Sequence, residues 1–278
     1  MRGWIVLDID GTMTNDPHSI PSSLIQYLKC LEKEGWQIAL ATGRTCRYAL
    51  MALSELDIPY ILMPQNGSAA VLMPEKKALF KRYLPFEAIA EIEELVEGNG
   101  YDFILYLGFD QGDRCYFRKK NFPPSTLKIM QKWQEIQKEK WNPVDCFTKE
   151  LIPEFAAAKV YAPSSEIEVL GKKVRERKIF QVSSVRDPSN PGWSILFITH
   201  PMASKGKALE GAIEQLGRGG KVICAGDDEN DLSLFEVSDF SIAMAHAPEL
   251  LLKQAKLIAD SDGEDKLIAA LRKAIKIG

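Results

Sequence analysis

The chain has 278 residues, 46% of them hydrophobic and 26% charged, enough for one large or two modest globular domains. Its formal net charge of −3 argues against a nucleic-acid binder, whose phosphate contacts need a clustered basic surface. No stretch approaches the roughly 18 apolar residues of a membrane span, and Asp8 and Asp10 interrupt the N-terminal apolar run where a secretion signal would continue, so a cytoplasmic protein with no membrane association is expected.

Residues 4–9 are predicted as a strand: an apolar run of β-formers with no polar face ends in the carboxylates Asp8 and Asp10, the pattern of a strand buried on both sides in a parallel sheet. A helix is predicted from Pro21 to Glu34, with Leu24, Leu28 and Leu31 on one face and Gly35 as its stop. Trp36–Ala41 reads as a second strand, Arg47–Leu56 as a helix and Tyr60–Met63 as a third strand. This βαβαβ order implies a parallel sheet with right-handed crossovers. Residues 69–73 and 78–83 then form a hairpin around Pro74-Glu75-Lys76-Lys77.

The middle of the chain changes character. Helices are predicted at 86–98, 124–138 and 164–176, and strands at 102–108, 114–118, 156–162, 179–185 and 193–199. Hairpin-like pairs followed by helices suggest an α+β unit inserted over residues 85–199. From Lys205 the strand–helix rhythm resumes, with helices at 205–216, 230–237, 248–255 and 264–276 and strands at 221–225, 240–245 and 257–259. Residues 1–84 and 200–278 are thus expected to form one α/β core domain split by the insertion.

Five scattered cysteines, Cys30, Cys46, Cys115, Cys146 and Cys224, form no CxxC pair, which argues against zinc and for reduced, buried thiols. Asn66-Gly67-Ser68 matches a glycosylation sequon but reads as a turn. The basic cluster Arg114, Arg118, Lys119 and Lys120 reads as a solvated face, with steering of an anionic substrate as the alternative. Tyr106, Phe109, Tyr116 and Phe117 read as core or interface of the insertion.

Four segments carry chemistry, each at a predicted strand end or helix start of the core. They are Asp8-x-Asp10-Gly11-Thr12, Ala41-Thr42-Gly43-Arg44, Ser204-Lys205-Gly206 and Gly226-Asp227-Asp228-Glu229-Asn230-Asp231. Ligands of open α/β sheets bind at those ends. Two neighbouring carboxylates repel unless a cation joins them or one takes a proton. The set suits phosphoryl transfer. A carboxylate nucleophile splits hydrolysis into two easier steps. Asp8 and Asp227 offer oxygens to Mg²⁺, which prefers octahedral oxygen ligands and offsets the charge of the phosphate. Lys205 adds a fixed positive charge, Thr42 a hydroxyl and Gly43 a backbone donor. Asp10 is placed to give and take protons.

These four motifs, their order and the insertion between the second and third resemble the haloacid dehalogenase superfamily, and most of all its Cof-type phosphatases with the larger C2-type cap. Gln65-Asn66-Gly67 and Ala41-Thr42-Gly43-Arg44 are also typical of that subgroup. The resemblance implies a Rossmann-like parallel-sheet core with an inserted α+β C2-type cap that supplies specificity contacts. It implies Asp8 as nucleophile and Asp10 as general acid/base. It implies Thr42, Gly43, Lys205 and Asn230 on the phosphate, with Arg44 and Asn66 near them. It implies Mg²⁺ held by Asp8, the Asp10 backbone carbonyl and Asp227, with Asp231 in support. The reaction implied is hydrolysis of a small phosphorylated metabolite, a sugar phosphate above all, by a monomer or weak homodimer. Return of the phosphoryl group to the sugar, as in a phosphomutase, is one alternative; a receiver-like phosphorylation switch or a ligand-binding module without turnover is another.

The chain also departs from the subgroup. Ala245-His246-Ala247 stands where many members read Gly-Asn-Ala, and Lys266 where they place a glycine after Glu-Asp. His18, His200 and His246 lack metal-ligand spacing and read as structural, although His246 is the one placed to meet a ligand. Asp228 and Glu229 read as solvated, with Asp228 able to lend charge to the site.

Overall fold

The computed structural model describes residues 1–187, 190–259 and 265–277. Every residue of β1 (Gly3–Asp8) is buried, as its apolar run Trp4–Leu7 with neighbours on both sides requires. Helix α1 (Ser22–Lys33) buries Leu24, Ile25, Leu28 and Leu31 on one face. Strand β2 (Trp36–Ala41), helix α2 (Cys46–Ala52) and strand β3 (Tyr60–Met63) follow, then β4 (Ala69–Met73) and β5 (Lys77–Lys81). Helix α2 ends four residues short of the predicted Leu56. Pro59 disfavours helical geometry at Ile58, so the chain unwinds through turns before β3.

The insertion contains β6 (Leu84–Pro85), α3 (Ala88–Val96), β7 (Phe103–Tyr106), β8 (Cys115–Phe117), α4 (Pro124–Gln137), β9 (Trp141–Pro143), β10 (Glu154–Phe155), β11 (Ala157–Pro163), α5 (Ser164–Arg177), β12 (Gln181–Arg186) and β13 (Trp193–Thr199). The chain then runs through α6 (Lys205–Leu216), β14 (Lys221–Gly226), α7 (Leu232–Val237), β15 (Phe240–Met244), α8 (Glu249–Gln254), β16 (Leu257–Ala259) and α9 (Lys266–Lys276). The predicted start of α9 at residue 264 lies outside the described residues.

The chain divides into two compact units. The first comprises Met1–Arg44, Ala49–Lys81 and Ser204–Gly278, and the second Thr45–Tyr48 and Arg82–Ala203. In the first, an eight-stranded sheet has the order β16-β15-β14-β1-β2-β3-β4-β5. It is parallel from β16 to β3, and β4 and β5 add antiparallel at one edge. The chain runs outward from β1 to β3 on one side and from β14 to β16 on the other. The β1/β14 junction is therefore a topological switch point, where such sheets bind ligands. Asp8 lies level with Ala41 of β2, and Leu7 level with Ala225 of β14.

In the second unit a six-stranded sheet has the order β12-β13-β11-β7-β8-β9, with β6 and β10 as a separate pair. Ile89, Ile92 and Leu95 of α3 and Ile167, Leu170 and Val174 of α5 share one apolar cluster. Met130 of α4 packs in another with Tyr106, Phe117 and Trp141. Tyr106, Tyr116 and Phe117 are buried, as expected, and Phe109 is half-buried. Arg118 is not the solvated cation expected from its basic neighbours. Its guanidinium forks onto Asp102 at 2.8 and 2.6 Å, pairs with Glu93, and lies over the Phe103 and Phe147 rings. The cysteines also differ from expectation: Cys46, Cys115 and Cys224 are buried, whereas Cys30 and Cys146 are exposed. No helix among the described residues is long and apolar enough to cross a membrane.

Candidate active site

Strand β1 stops at Asp8, so Asp10 lies one turn beyond it rather than on the same strand face. The chain folds back through Met13 N–H and Thr14 N–H, which both donate to the Ile9 carbonyl, at 3.0 and 3.1 Å. Gly11 has a φ of +76°, and a Cβ there would lie 2.1 Å from Asp227 Oδ2. Only glycine lets the first motif approach the fourth this closely. Thr12 completes the contact by donating its hydroxyl to Asp227 Oδ1 at 3.1 Å.

Lys205 opens α6 and is 1% exposed, a burial that an ammonium tolerates only with counter-ions. Ser204 caps the helix, its Oγ accepting from Lys207 N–H at 3.2 Å. The Lys205 Nζ donates to Asp8 Oδ1 at 2.5 Å and to Asp231 Oδ1 at 2.6 Å. Asp231 is fully buried, and its other oxygen accepts from the Asp227 and Asp228 N–H groups at 3.0 and 3.2 Å. Asp231 thereby ties the loop after β14 to the lysine. Asp228 is half-buried rather than solvated and accepts from Glu229 N–H at 2.7 Å.

Arg44 is buried at the end of the second motif and forks onto Asp10: Nε to Oδ2 at 2.9 Å and Nη2 to Oδ1 at 2.6 Å. Its Nη1 donates to the Pro17 carbonyl at 2.7 Å. The Asp10 side chain remains 59% exposed, open to a ligand. Thr42 is fully buried and accepts from Arg44 N–H at 3.0 Å, while Gly43 between them is half-buried. The segment Gln65-Asn66-Gly67 holds three successive left-handed conformations, with φ of +47°, +55° and +86°. Gln65 and Asn66 N–H groups donate to the Arg44 and Thr42 carbonyls, both at 2.8 Å, so this strained turn braces the second motif. Asn66 Oδ1 accepts from Asn230 Nδ2 at 3.0 Å, and Asn230 Oδ1 is a buried acceptor that meets no hydrogen-bond partner.

Carboxylate oxygens of Asp8, Asp227 and Asp231 lie within 4.8 Å of one another. Together with Lys205 they carry an excess of two negative charges when ionised, the charge a divalent cation would neutralise. Burial pushes the Asp8 carboxyl well above its usual range, opposed by Lys205 and reinforced by Asp231, Asp227 and Asp10. Burial and Asp231 likewise raise Asp227. Burial alone would lower Lys205, but Asp231 and Asp8 outweigh it and hold the ammonium above its ordinary value. Hard, closely set oxygens with unspent negative charge fit Mg²⁺. The structure thus brings Asp8, Lys205, Asp227 and Asp231 together, sets Arg44 on Asp10, and links Thr42 through Asn66 to Asn230. The sequence did not single out the bracing role of Gln65 or the grip of Thr12 on Asp227. His246, the histidine placed to meet a ligand, has its Nε2 3.2 Å from Asp227 Oδ2.

A family model described as haloacid dehalogenase-like hydrolase matches residues 5–271. A phosphoglycolate phosphatase of Archaeoglobus fulgidus is 32% identical over 276 residues, covering 96% of this chain and 95% of its own. One from Methanopyrus kandleri is 23% identical, covering 99% and 98%. Among solved structures, a haloacid dehalogenase-like hydrolase from Bacteroides thetaiotaomicron superposes with a TM-score of 0.76 at 22% identity, covering 99% of this chain and 100% of that one. A HAD subclass IIB sugar phosphatase does so with a TM-score of 0.75 at 19% identity, over 99% and 100%. The likeness spans the core and the insertion alike, and with it this chain belongs to the haloacid dehalogenase-like hydrolases, as a Cof-type phosphatase.

Proposed function

We propose that the protein hydrolyses a small phosphorylated metabolite of the sugar-phosphate class, with Mg²⁺ and through a phosphoryl group carried on Asp8. The observation that carries this reading is the buried Lys205 bridging Asp8 and Asp231 beside Asp227. Such a lysine orients one oxygen of the attacking carboxylate and offers its charge to the oxygens of an arriving phosphate. Asp8, the Asp10 backbone carbonyl and Asp227 would hold the ion, with Asp231 in support. When bound, it offsets the repulsion between the carboxylate and the phosphate dianion.

In the first step an Asp8 oxygen bonds to phosphorus, the ester P–O bond breaks, and Asp10 gives its proton to the departing alkoxide. In the second, Asp10 takes a proton from a water whose oxygen bonds to phosphorus. The P–O bond to Asp8 then breaks, leaving inorganic phosphate and the free carboxylate. Arg44 fixes Asp10 for both transfers, since its fork holds both carboxylate oxygens. Thr42 and Gly43 bind the phosphate oxygens, with Asn230 and Asn66 framing the site.

Phosphate release from a panel of hexose and pentose phosphates, phosphoglycolate and an aryl phosphate, with Mg²⁺ and with a chelator, tests the reading. Release from sugar phosphates that is Mg²⁺-dependent and lost in Asp8→Asn supports it. Release that survives in Asp8→Asn, or that phosphoglycolate alone supports, overturns the nucleophile or the substrate class respectively. Isomerised sugar phosphate without free phosphate would overturn hydrolysis.

A further inference from the structure

Strand β15 ends at Met244, and a tight turn follows in which Ala247 N–H donates to the Met244 carbonyl at 2.9 Å. His246 is the third residue of that turn. Strands β14 and β15 are parallel neighbours with Gly226 level with Ala243, so the turn after one stands beside the loop after the other. The His246 ring reaches across, with Nε2 at 3.2 Å from Asp227 Oδ2. Thr12 occupies the opposite oxygen, Oδ1, at 3.1 Å, and the Gly11 backbone closes the space beside Oδ2. The Asp227 carboxylate is thus gripped from two loops, once per oxygen. Half of the His246 side chain is exposed, so the ring is presented to the site rather than buried as core.

We infer that His246 is a positioning residue for the divalent ion, its imidazole donating Nε2–H to Asp227 Oδ2 and thereby setting the affinity of the acidic cluster. This rests on the metal reading proposed above. A carboxylate that must keep one oxygen aimed at an ion gains from hydrogen bonds that fix its plane. Thr12 fixes one oxygen, and without a second contact the group can still swing about the Cβ–Cγ bond. His246 removes that freedom. Because Ala245 and Ala247 flank it and its ring is half-exposed, the contact contributes little to packing.

The test is Mg²⁺ and Mn²⁺ binding to the full chain without substrate, by calorimetry and by the paramagnetic resonance of free Mn²⁺. His246→Ala is expected to weaken binding about 10- to 100-fold. His246→Gln, whose amide places a donor near the position of Nε2, is expected to restore it to within about threefold of wild type. Metal-free unfolding temperatures of the three proteins are expected to coincide. Binding by His246→Ala as tight as wild type, while Asp227→Asn loses it, overturns the role of His246 and leaves the metal reading standing. Undiminished binding in Asp227→Asn overturns the metal reading and this inference together. Weakened binding that tracks a lowered metal-free unfolding temperature overturns positioning in favour of a structural role.

Discussion

Arg44 and Asp10 form a two-point ion pair in which the cation is buried and the carboxylate is open. The guanidinium is 3% exposed and the carboxylate 59%. This asymmetry makes Arg44 a fixed bracket and, on the function proposed above, leaves Asp10 open to meet substrate. Lysine offers one point charge where arginine offers a planar fork. Arg44→Lys is therefore expected to lower kcat by about tenfold or more while leaving KM within about threefold. A KM that rises with kcat unchanged would place Arg44 on the substrate instead.

Asp10→Asn retains the shape of the side chain but holds no transferable proton. Turnover is expected to fall by about 10²- to 10⁴-fold, with both formation and breakdown of the phosphorylated enzyme slowed. Rapid-quench measurement of the two steps decides this, and equal rates in variant and wild type would remove the proton-transfer role.

Asp8→Asn is expected to lower Mg²⁺-dependent release of phosphate from an aryl phosphate by about 10⁴-fold or more, as loss of a nucleophile does. Its circular dichroism should match wild type, since Asp231 still pairs with Lys205.

A methyl group on Gly67 would lie 2.5 Å from the Ser204 carbonyl oxygen and 2.7 Å from the Ala208 Cβ, at a φ of +86°. Gly67→Ala must shift the first turn of α6, and Lys205 with it. Destabilisation of about 1–3 kcal/mol is expected from denaturant unfolding, with a loss of activity larger than the stability change explains. Full activity would show that α6 can move without displacing Lys205.

In the second unit, burial first and Glu139 next push Asp113 up to about 6, against hydrogen bonds from the Arg47 and Cys46 N–H groups and the nearby Lys159. The folded state keeps this proton longer than the unfolded chain does. Its contribution to stability is fully present below the unfolded value near 4 and is lost as pH rises through about 6. Asp113→Asn stays neutral, and its amide oxygen still accepts from Arg47 N–H. The wild type is expected to lose stability relative to Asp113→Asn between pH 4 and 6 in urea titrations. A constant difference across that range would show that Asp113 ionises normally in the fold.

The strand ends were legible because apolar runs such as Trp4–Leu7 stop abruptly at charged residues, and the motif order placed those ends together. The pairings inside the site were not. Arg44 and Asp10 are 34 residues apart, Asn66 and Asn230 164, and Thr12 and Asp227 215. No local periodicity encodes a hydrogen bond over such distances; it follows from the order of strands in the sheet. Strands β6 and β10 were missed because two residues, Leu84 with Phe155 and Pro85 with Glu154, show no alternation. Arg118 was misread because a run of basic residues says nothing of Asp102 and Glu93, brought to it by folding.

The central position of β1 has a consequence for how the chain is made. Its neighbour β2 begins at Trp36, but its other neighbour, β14, begins at Lys221. During synthesis the apolar ribbon Trp4–Leu7 therefore waits with one open edge while the intervening residues emerge, a template for unwanted pairing with other chains. Asp8 waits nearly as long, until residue 205, for the lysine that balances it. A nascent chain arrested before α6 would carry an exposed strand edge that the finished protein hides completely.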